Sequence, residues 1–385
     1  MAVPGSALRW AGLNLCLHGQ PGLKRKLRSL VIGEGEGDRF GALPDAALPL
    51  LPAGWEAAAG RELERADRLG LRIVTLDDGD YPPLLRVAPD PPILLYVRGR
   101  LRPADALAIA VVGSRRATPY GIGMAHRLGA GLAAGGYAVV SGMARGIDAA
   151  AHRGALDAGG RTLAVLGCGL DRVYPAEHRE LADRIAAAGA IISELPLGTA
   201  PLKQNFPGRN RLIAWISWAT VVVEAARHSG SLITAALAAE GGRLVCAVPG
   251  PVGEEGSEGT NALLRDGAIV CRGADDLIDD LNPQVRDAAR HAGRPDRPAD
   301  TPADGGCNRG AAGESQGDGL PGPLSGEHRR LLAYLSEHRG TSIDALETAS
   351  GMPSGALLTA LLELEIGGLV RALPGRRFLK IGCNI

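Results

Sequence analysis

Cations, amides and a phenylalanine crowd into one stretch: Lys203-Gln204-Asn205-Phe206-Pro207-Gly208-Arg209-Asn210-Arg211. Lysine and arginine supply charge for phosphate oxygens, and Asn205 and Asn210 add neutral donors and acceptors. Phe206 offers a ring face on which a base can stack. Further along, after an apolar run and Glu224, comes His228-Ser229-Gly230-Ser231-Leu232-Ile233-Thr234. A small-residue loop that opens a helix presents free backbone N–H groups and the positive end of the helix dipole to an anion. Gly113-Ser114-Arg115 repeats that arrangement earlier in the chain, with Arg115 able to pair bidentately with phosphate. The chemistry indicated is capture of a phosphate-bearing ligand: a nucleotide, a dinucleotide cofactor or a nucleic-acid strand.

Two of the familiar phosphate loops are missing. A dinucleotide fingerprint would need Gly-x-Gly-x-x-Gly where the chain has Gly113-Ser114-Arg115-Arg116-Ala117-Thr118, and there is no Walker A loop. No cofactor is expected. A third segment, Ser141-Gly142-Met143-Ala144-Arg145-Gly146-Ile147-Asp148, puts Arg145 in a loop on the ligand side. Asp148 and His152 are four apart and share a helix face, which reads as packing and capping rather than a catalytic dyad. Gly167-Cys168-Gly169 is a tight loop that permits close approach, and Glu194 and Glu224 are expected to orient arginines.

These segments are spaced by a regular alternation. Apolar strands are predicted at Ala108–Val112, Ala138–Ser141, Thr162–Leu166, Ala190–Ser193, Thr220–Val223, Leu244–Val248 and Ala268–Cys271. Helices are predicted between them, at Tyr120–Ala134, Gly146–Ala158, Ala176–Ala188, Asn210–Ser217, Ser231–Glu240 and Gly259–Asp266. Short apolar strands joined by helices make an α/β fold with a parallel sheet covered on both faces. Ligands bind such sheets beyond the carboxyl ends of the strands. Arg115, Arg145, Lys203, Arg209 and Arg211 are therefore expected on one rim.

The flanks differ. Residues 1–66 read as a small helical domain, with helices at Leu8–Leu17, Leu23–Ile32 and Glu56–Leu69, and residues 67–280 as the Rossmann-like domain. Residues 281–324, rich in Pro, Gly, Asp and Ala, read as a disordered linker. Residues 325–385 give three helices and a hairpin across Pro374-Gly375-Arg376, the pattern of a winged helix. Formal net charge is zero, so any basic footprint must come from placement. Six scattered cysteines lack metal-site spacing and read as reduced thiols, so no metal is expected. With no long apolar run and no basic-then-apolar leader, a cytoplasmic protein with no membrane partner is expected.

The ordered set of motifs resembles the DprA family, also called DNA-processing protein A or Smf. The likeness runs from Tyr81-Pro82 and Asp90-Pro91-Pro92 through Gly113-Ser114-Arg115, Ser141 to Asp148, Tyr174-Pro175, Ser193-Glu194, Phe206 to Arg211, Glu224-Ala225, Ser229 to Ala235 and Val248-Pro249-Gly250. It implies a non-catalytic single-stranded DNA-binding recombination mediator on an extended Rossmann-like core. The family works as a homodimer that protects incoming strands and helps load the RecA recombinase in natural transformation. By motif position Arg115 grips phosphate, Lys203 and Phe206 contact DNA, and Ser229, Gly230, Ser231 and Thr234 complete the anion site. Gly208 and the pair Ala214-Trp215 depart from the family pattern. The alternative is a nucleotide-processing enzyme related to phosphoribohydrolases, whose Pro-Gly-Gly-x-Gly-Thr loop is followed by a glutamate. Here no glutamate follows Ser229 until Glu240. A third reading makes the C-terminal part a duplex-DNA or partner-binding module.

Overall fold

The computed structural model describes residues 5–19, 51–281, 283, 285, 326–335, 341–352, 357, 360, 361, 364, 369–373 and 377–380. The expected helix at 23–32 and nearly all of the expected linker lie outside these residues. The chain divides into two compact units, Met1–Pro298 and Ala299–Ile385.

In the first unit, α1 (Gly5–Gly19) and α2 (Trp55–Arg68) precede β1 (Arg72–Thr75), the short α3 (Pro83–Arg86) and β2 (Leu94–Gly99). The alternation then runs β3 (Ala108–Val112), α4 (Pro119–Ala134), β4 (Ala138–Ser141), α5 (Ile147–Asp157), β5 (Thr162–Val165), α6 (Arg179–Ala188) and β6 (Ala190–Ser193). It continues through α7 (Asn205–Trp215), β7 (Ala219–Val222), α8 (Gly230–Glu240), β8 (Leu244–Ala247), α9 (Glu255–Arg265), β9 (Ile269–Val270) and α10 (Ala274–Asp280). Among the described residues these strands form one nine-stranded sheet in the order β1-β2-β6-β5-β4-β3-β7-β8-β9. From β6 to β9 all neighbours are parallel, while β2 joins β6 and β1 joins β2 antiparallel. This is the expected Rossmann-like sheet, extended at one edge.

Alternation along β3 explains the layering. Successive side chains point to opposite faces. Ala108, Ala110 and Val112 join a core with Leu212 and Ile213 of α7 and Ala235 and Ala238 of α8. Ile109 and Val111 join the other core, with Leu128 and Leu132 of α4 and Ala150 and Ala151 of α5. Trp10, Leu13 and Leu63 of α1 and α2 share the first core with Tyr96 of β2. At about 1.5–3 kcal/mol for each buried large aliphatic side chain, two such faces hold the sheet rigid beneath its loops.

The strand order reverses direction at β3. From β3 the chain steps outward through β4, β5 and β6, then returns to lay β7 on the other side of β3. A crevice opens beyond the carboxyl ends of β3 and β7, where the loops part to opposite faces. The segments that leave these ends are Gly113-Ser114-Arg115 and Glu224 to Ser229.

In the second unit, α11 (Gly326–Tyr334), β10 (Thr341–Ser342) and α12 (Ile343–Ser350) precede helical positions Leu357, Ala360, Leu361 and Leu364. Then β11 (Val370–Leu373) and β12 (Arg377–Lys380) form an antiparallel hairpin whose β12 also pairs with β10. Leu331, Leu346, Leu357, Leu361 and Phe378 fill its core. Helices with a small hairpin sheet are the winged-helix pattern expected from sequence.

Candidate nucleic-acid interface

The crevice is a cleft of about 730 Å³ at the β3–β7 switch point. Its first wall is the loop after β3. The Ser114 amide donates to the Glu224 carbonyl at 2.8 Å, which ties this loop to the end of β7. The Ser114 carbonyl accepts from the Ile147 amide at the start of α5. Gly146 sits at φ +75°, and a Cβ there would collide with that carbonyl, so only glycine lets α5 approach. Thr118 caps α4 by accepting from the Gly121 amide, with Pro119 at the first helical position. Arg115 projects from this braced loop and is exposed.

The opposite wall is the start of α8. Ser229 is its N-cap, accepting from the Ser231 amide, and the two hydroxyls lie 2.8 Å apart. Ser229, Gly230, Ser231 and Thr234 all line the cleft, as do Gly113, Ser114, Arg115, Lys203, Phe206 and Asn210. Donors at a helix start facing an exposed arginine and lysine make a site for an anionic oxygen. Asn210 of the helix that carries Phe206 is tied to this wall, its side-chain amide donating to the Gly230 carbonyl at 3.3 Å.

The helix that carries Phe206 begins earlier than its sequence suggests. The sequence predicts a start at Asn210, yet α7 starts at Asn205. Pro207 falls in the first turn, where amides have no helical partner, so its missing N–H costs nothing. Phe206 therefore sits on a fixed helical face. The Arg115 guanidinium lies 4.9 Å from its ring centroid and that of Arg209 5.7 Å, both as cation–π contacts. Tyr174 approaches from another side, ring centroids 5.9 Å apart and tilted 39°.

The expectation of five cations on one rim needs correction. Arg115 and Lys203 are exposed in the cleft. Arg145 is exposed but lines a smaller neighbouring cavity, its side chain paired with Glu177 at 2.5 Å. Arg209 lines the cleft yet is only 5 % exposed, its guanidinium donating to the Gly142 and Val165 carbonyls at the carboxyl ends of β4 and β5. Burial lowers its pKa to about 10, with the nearby Asp148 carboxylate opposing. Gly142 makes room for it, since a Cβ there would collide with the guanidinium. Arg211 is turned away altogether. It pairs with Glu194 at 2.5 Å and Asp90 at 3.3 Å, and stacks 5.9 Å from the Trp215 ring. Five residues along a helix is about 140° past a full turn, so Phe206 and Arg211 cannot share a face. Asn205 likewise spends its amide on the Ala200 carbonyl and does not line the cleft.

The acidic residues sort in the same way. Glu194 orients an arginine as expected, but Glu224 does not: it accepts from the Thr118 backbone amide and hydroxyl, locking the β3 loop. Asp148 accepts from the Gly142 and Ala144 amides, and burial raises its pKa. His152 is fully buried beside Thr162, with Nδ1 2.6 Å from that hydroxyl, and burial drives its pKa down to about 3. This is the packing and capping role expected of the pair. The four described cysteines are free and buried. Trp215, a departure from the pattern, fills space against α8 and donates to the Leu237 carbonyl at 2.9 Å.

Residues not singled out from sequence also line the cleft: Arg116, Arg227, Glu255 and Glu258. Arg227 follows a strand end, so the rule that located Arg115 could have found it. Glu255 and Glu258 arrive on α9 from a distant segment, with no local signal.

The family model described as DNA recombination-mediator protein A matches residues 72–282, and that of the DprA winged helix domain matches residues 318–376. Protein Smf of Escherichia coli is 38% identical over 307 residues, spanning 79% of this chain and 76% of that protein. The putative DNA processing protein DprA of Mycobacterium tuberculosis is 38% identical over 345 residues, spanning 85% and 82% respectively. The X-ray structure of DNA processing protein A from Streptococcus pneumoniae superposes with a TM-score of 0.58 at 32% identity, covering 73% of this chain and 99% of that one. A Rossmann-like sheet extended at one edge, a winged helix, and a cation-lined cleft at the switch point thus agree with one assignment: the chain belongs to the DNA recombination-mediator protein A family.

Proposed function

We propose that the cleft binds single-stranded DNA, and that the protein acts as a recombination mediator rather than an enzyme. The observation that carries this reading is the junction at Phe206, where an aromatic ring meets Arg115 inside a cleft that also holds Lys203 and the α8 start. A cation beside a ring suits a strand, whose phosphates need charge and whose bases need a π-face. Phosphates run over Arg115, Lys203 and the Ser229–Ser231 turn, and a base stacks near Phe206. In keeping with the family, the protein works as a homodimer in the cytoplasm, protects incoming strands and helps load the RecA recombinase during natural transformation.

The test is charge reversal. Arg115→Glu and Lys203→Glu each abolish binding of single-stranded oligonucleotides while the thermal transition stays in place, because both side chains are exposed. Undiminished affinity in both variants overturns the reading. Light scattering of the DNA-free protein is expected to give twice the chain mass, and RecA assembly on coated strands is expected to quicken when the protein is added.

Glu255 and Glu258 favour a second reading, since carboxylates in a phosphate cleft can serve hydrolysis of a nucleotide. Asp148 and His152 do not help it: the first is bound by backbone amides and the second is held neutral in the core. Incubation with nucleoside monophosphates is expected to release no free base; release would establish the enzyme.

A further inference from the structure

Away from the cleft, where the β1–β2 extension of the sheet meets α6, lies a recess of about 530 Å³. Arg98 of β2, Arg172 of the loop after β5 and Arg179, the first residue of α6, line it beside Leu69, Leu71 and Leu170. Asp171 is the one carboxylate among its described lining residues. Both of its oxygens are engaged elsewhere: one accepts from Arg65 at 2.8 Å, the other from the Gly198 amide at 2.8 Å. Arg172 reaches Asp171 only at 3.8 Å, beyond hydrogen-bond distance. The Arg179 side chain has no partner among the described residues. Arg98 pairs with Asp183 of α6 at 2.6 Å, a solvent-facing pair of the kind worth about 0–1 kcal/mol, so an incoming anion displaces it at small cost. In a chain of zero formal net charge, this is a local excess of positive charge that no described ion pair accounts for.

The chain itself joins this recess to the cleft. Residues 170–173 line the recess, and the next residue, Tyr174, leans on Phe206 of the cleft. Two residues of extended chain span at most about 7 Å, so Arg172 stands within that reach of Tyr174. A strand covers the same distance with about two nucleotides, at a rise of about 3.4 Å each. The three guanidiniums come from separate segments and are set around apolar side chains rather than converging on one point. That layout suits successive phosphates of a strand, each met by an arginine fork, better than one compact anion. We propose that this recess is a flanking phosphate subsite, where the strand that has passed Tyr174 lays its backbone on Arg172, Arg179 and Arg98. The inference rests on strand binding by the cleft and lengthens its footprint. It also gives the β1–β2 extension a part in binding, through Arg98.

Probe length separates the recess from the cleft. Labelled thymine oligonucleotides of about 4 and about 16 nucleotides, the short and long ends of single-strand site sizes, are titrated against the full chain over a range of salt. The variant is Arg172→Gln with Arg179→Gln, two exposed side chains outside the cleft, and its melting temperature is expected to match the wild type. On the long probe the variant is expected to bind more weakly, and its slope of log K against log salt becomes shallower by about 1.4, two phosphates at about 0.7 each. On the short probe its affinity and slope stay at the wild-type values. An unchanged slope on the long probe overturns the subsite. So does an equal loss on both probes, which would make the arginines supports of the cleft. A labelled glutamate peptide is expected not to bind; if it binds, and the variant loses the peptide but not the long probe, the recess belongs to an acidic protein partner and the proposal fails. If the wild type binds neither oligonucleotide, the strand reading fails with it; if it binds both with one affinity and one slope, only the subsite fails.

Discussion

Replacing Arg209 by alanine separates a direct contact to the proposed strand from a residue that builds the cleft. The guanidinium donates to the Gly142 and Val165 carbonyls and its charge acts on the buried Asp148 carboxylate. Hydrogen bonds from a charged donor contribute about 1.5–3 kcal/mol each. Two of them, with a buried carboxylate left uncompensated, bring the expected loss to about 3–5 kcal/mol. In a unit of this size each kcal/mol moves the melting temperature by about 2–4 °C, so Arg209→Ala melts about 6–20 °C lower. The loop from Gly142 to Arg145 loosens and Phe206 loses one of its two cationic neighbours, so binding of single strands weakens as a consequence. Differential scanning calorimetry paired with oligonucleotide titration well below the transition reads both. A variant that melts with the wild type yet loses binding refutes the reasoning, and would make Arg209 a direct phosphate contact.

Arg211→Met strands the buried Glu194 and its neighbour Asp90, and is expected to cost about 3–5 kcal/mol in urea unfolding while the affinity per folded molecule is unchanged. His152 has a folded pKa of about 3 against about 6.5 unfolded, so the unfolded chain takes up a proton that the folded chain refuses. Its contribution is present above pH 6.5 and is lost at about 1.4 kcal/mol per pH unit as pH falls toward 3. Asp148, with a raised pKa, acts in the opposite sense, so the difference between the wild-type and His152→Leu stability curves isolates the histidine; parallel curves contradict it. Gly208 is exposed in α7, and a Cβ added there would meet nothing within 4 Å. Gly208→Lys therefore gains about 1 kcal/mol of helix propensity and tightens strand binding, readable by melting and titration.

The sheet was legible because its strands are apolar on both faces. Ala108–Val112, Ala138–Ser141 and Ala190–Ser193 begin and end where the apolar runs do. The strand-end rule then located Arg115, Lys203 and the Ser229–Ser231 turn, since each follows a strand or opens a helix. The start of α7 was not legible, because Pro207-Gly208 reads as a break when it occupies a first turn. Nor was the fate of Arg209 and Arg211. Whether an arginine faces water or the core depends on acceptors brought by other strands, here the Gly142 and Val165 carbonyls, Glu194 and Asp90. The same holds for Glu224, whose partner Thr118 lies across the switch point from it.

The central claim, that exposed cations at the β3–β7 switch point hold a single strand by its phosphates, is tested most directly by the salt dependence of binding. Affinity for a single-stranded oligonucleotide is measured from low to high salt for the wild type and for Arg115→Gln, which removes the charge without reversing it. Each neutralised phosphate contributes about −0.7 to the slope of log K against log salt on single strands. Arg115 and Lys203 together predict a wild-type slope of at least about −1.4, which becomes shallower by about 0.7 or more in the variant. A salt-independent affinity, or the same slope in both proteins, would contradict the account.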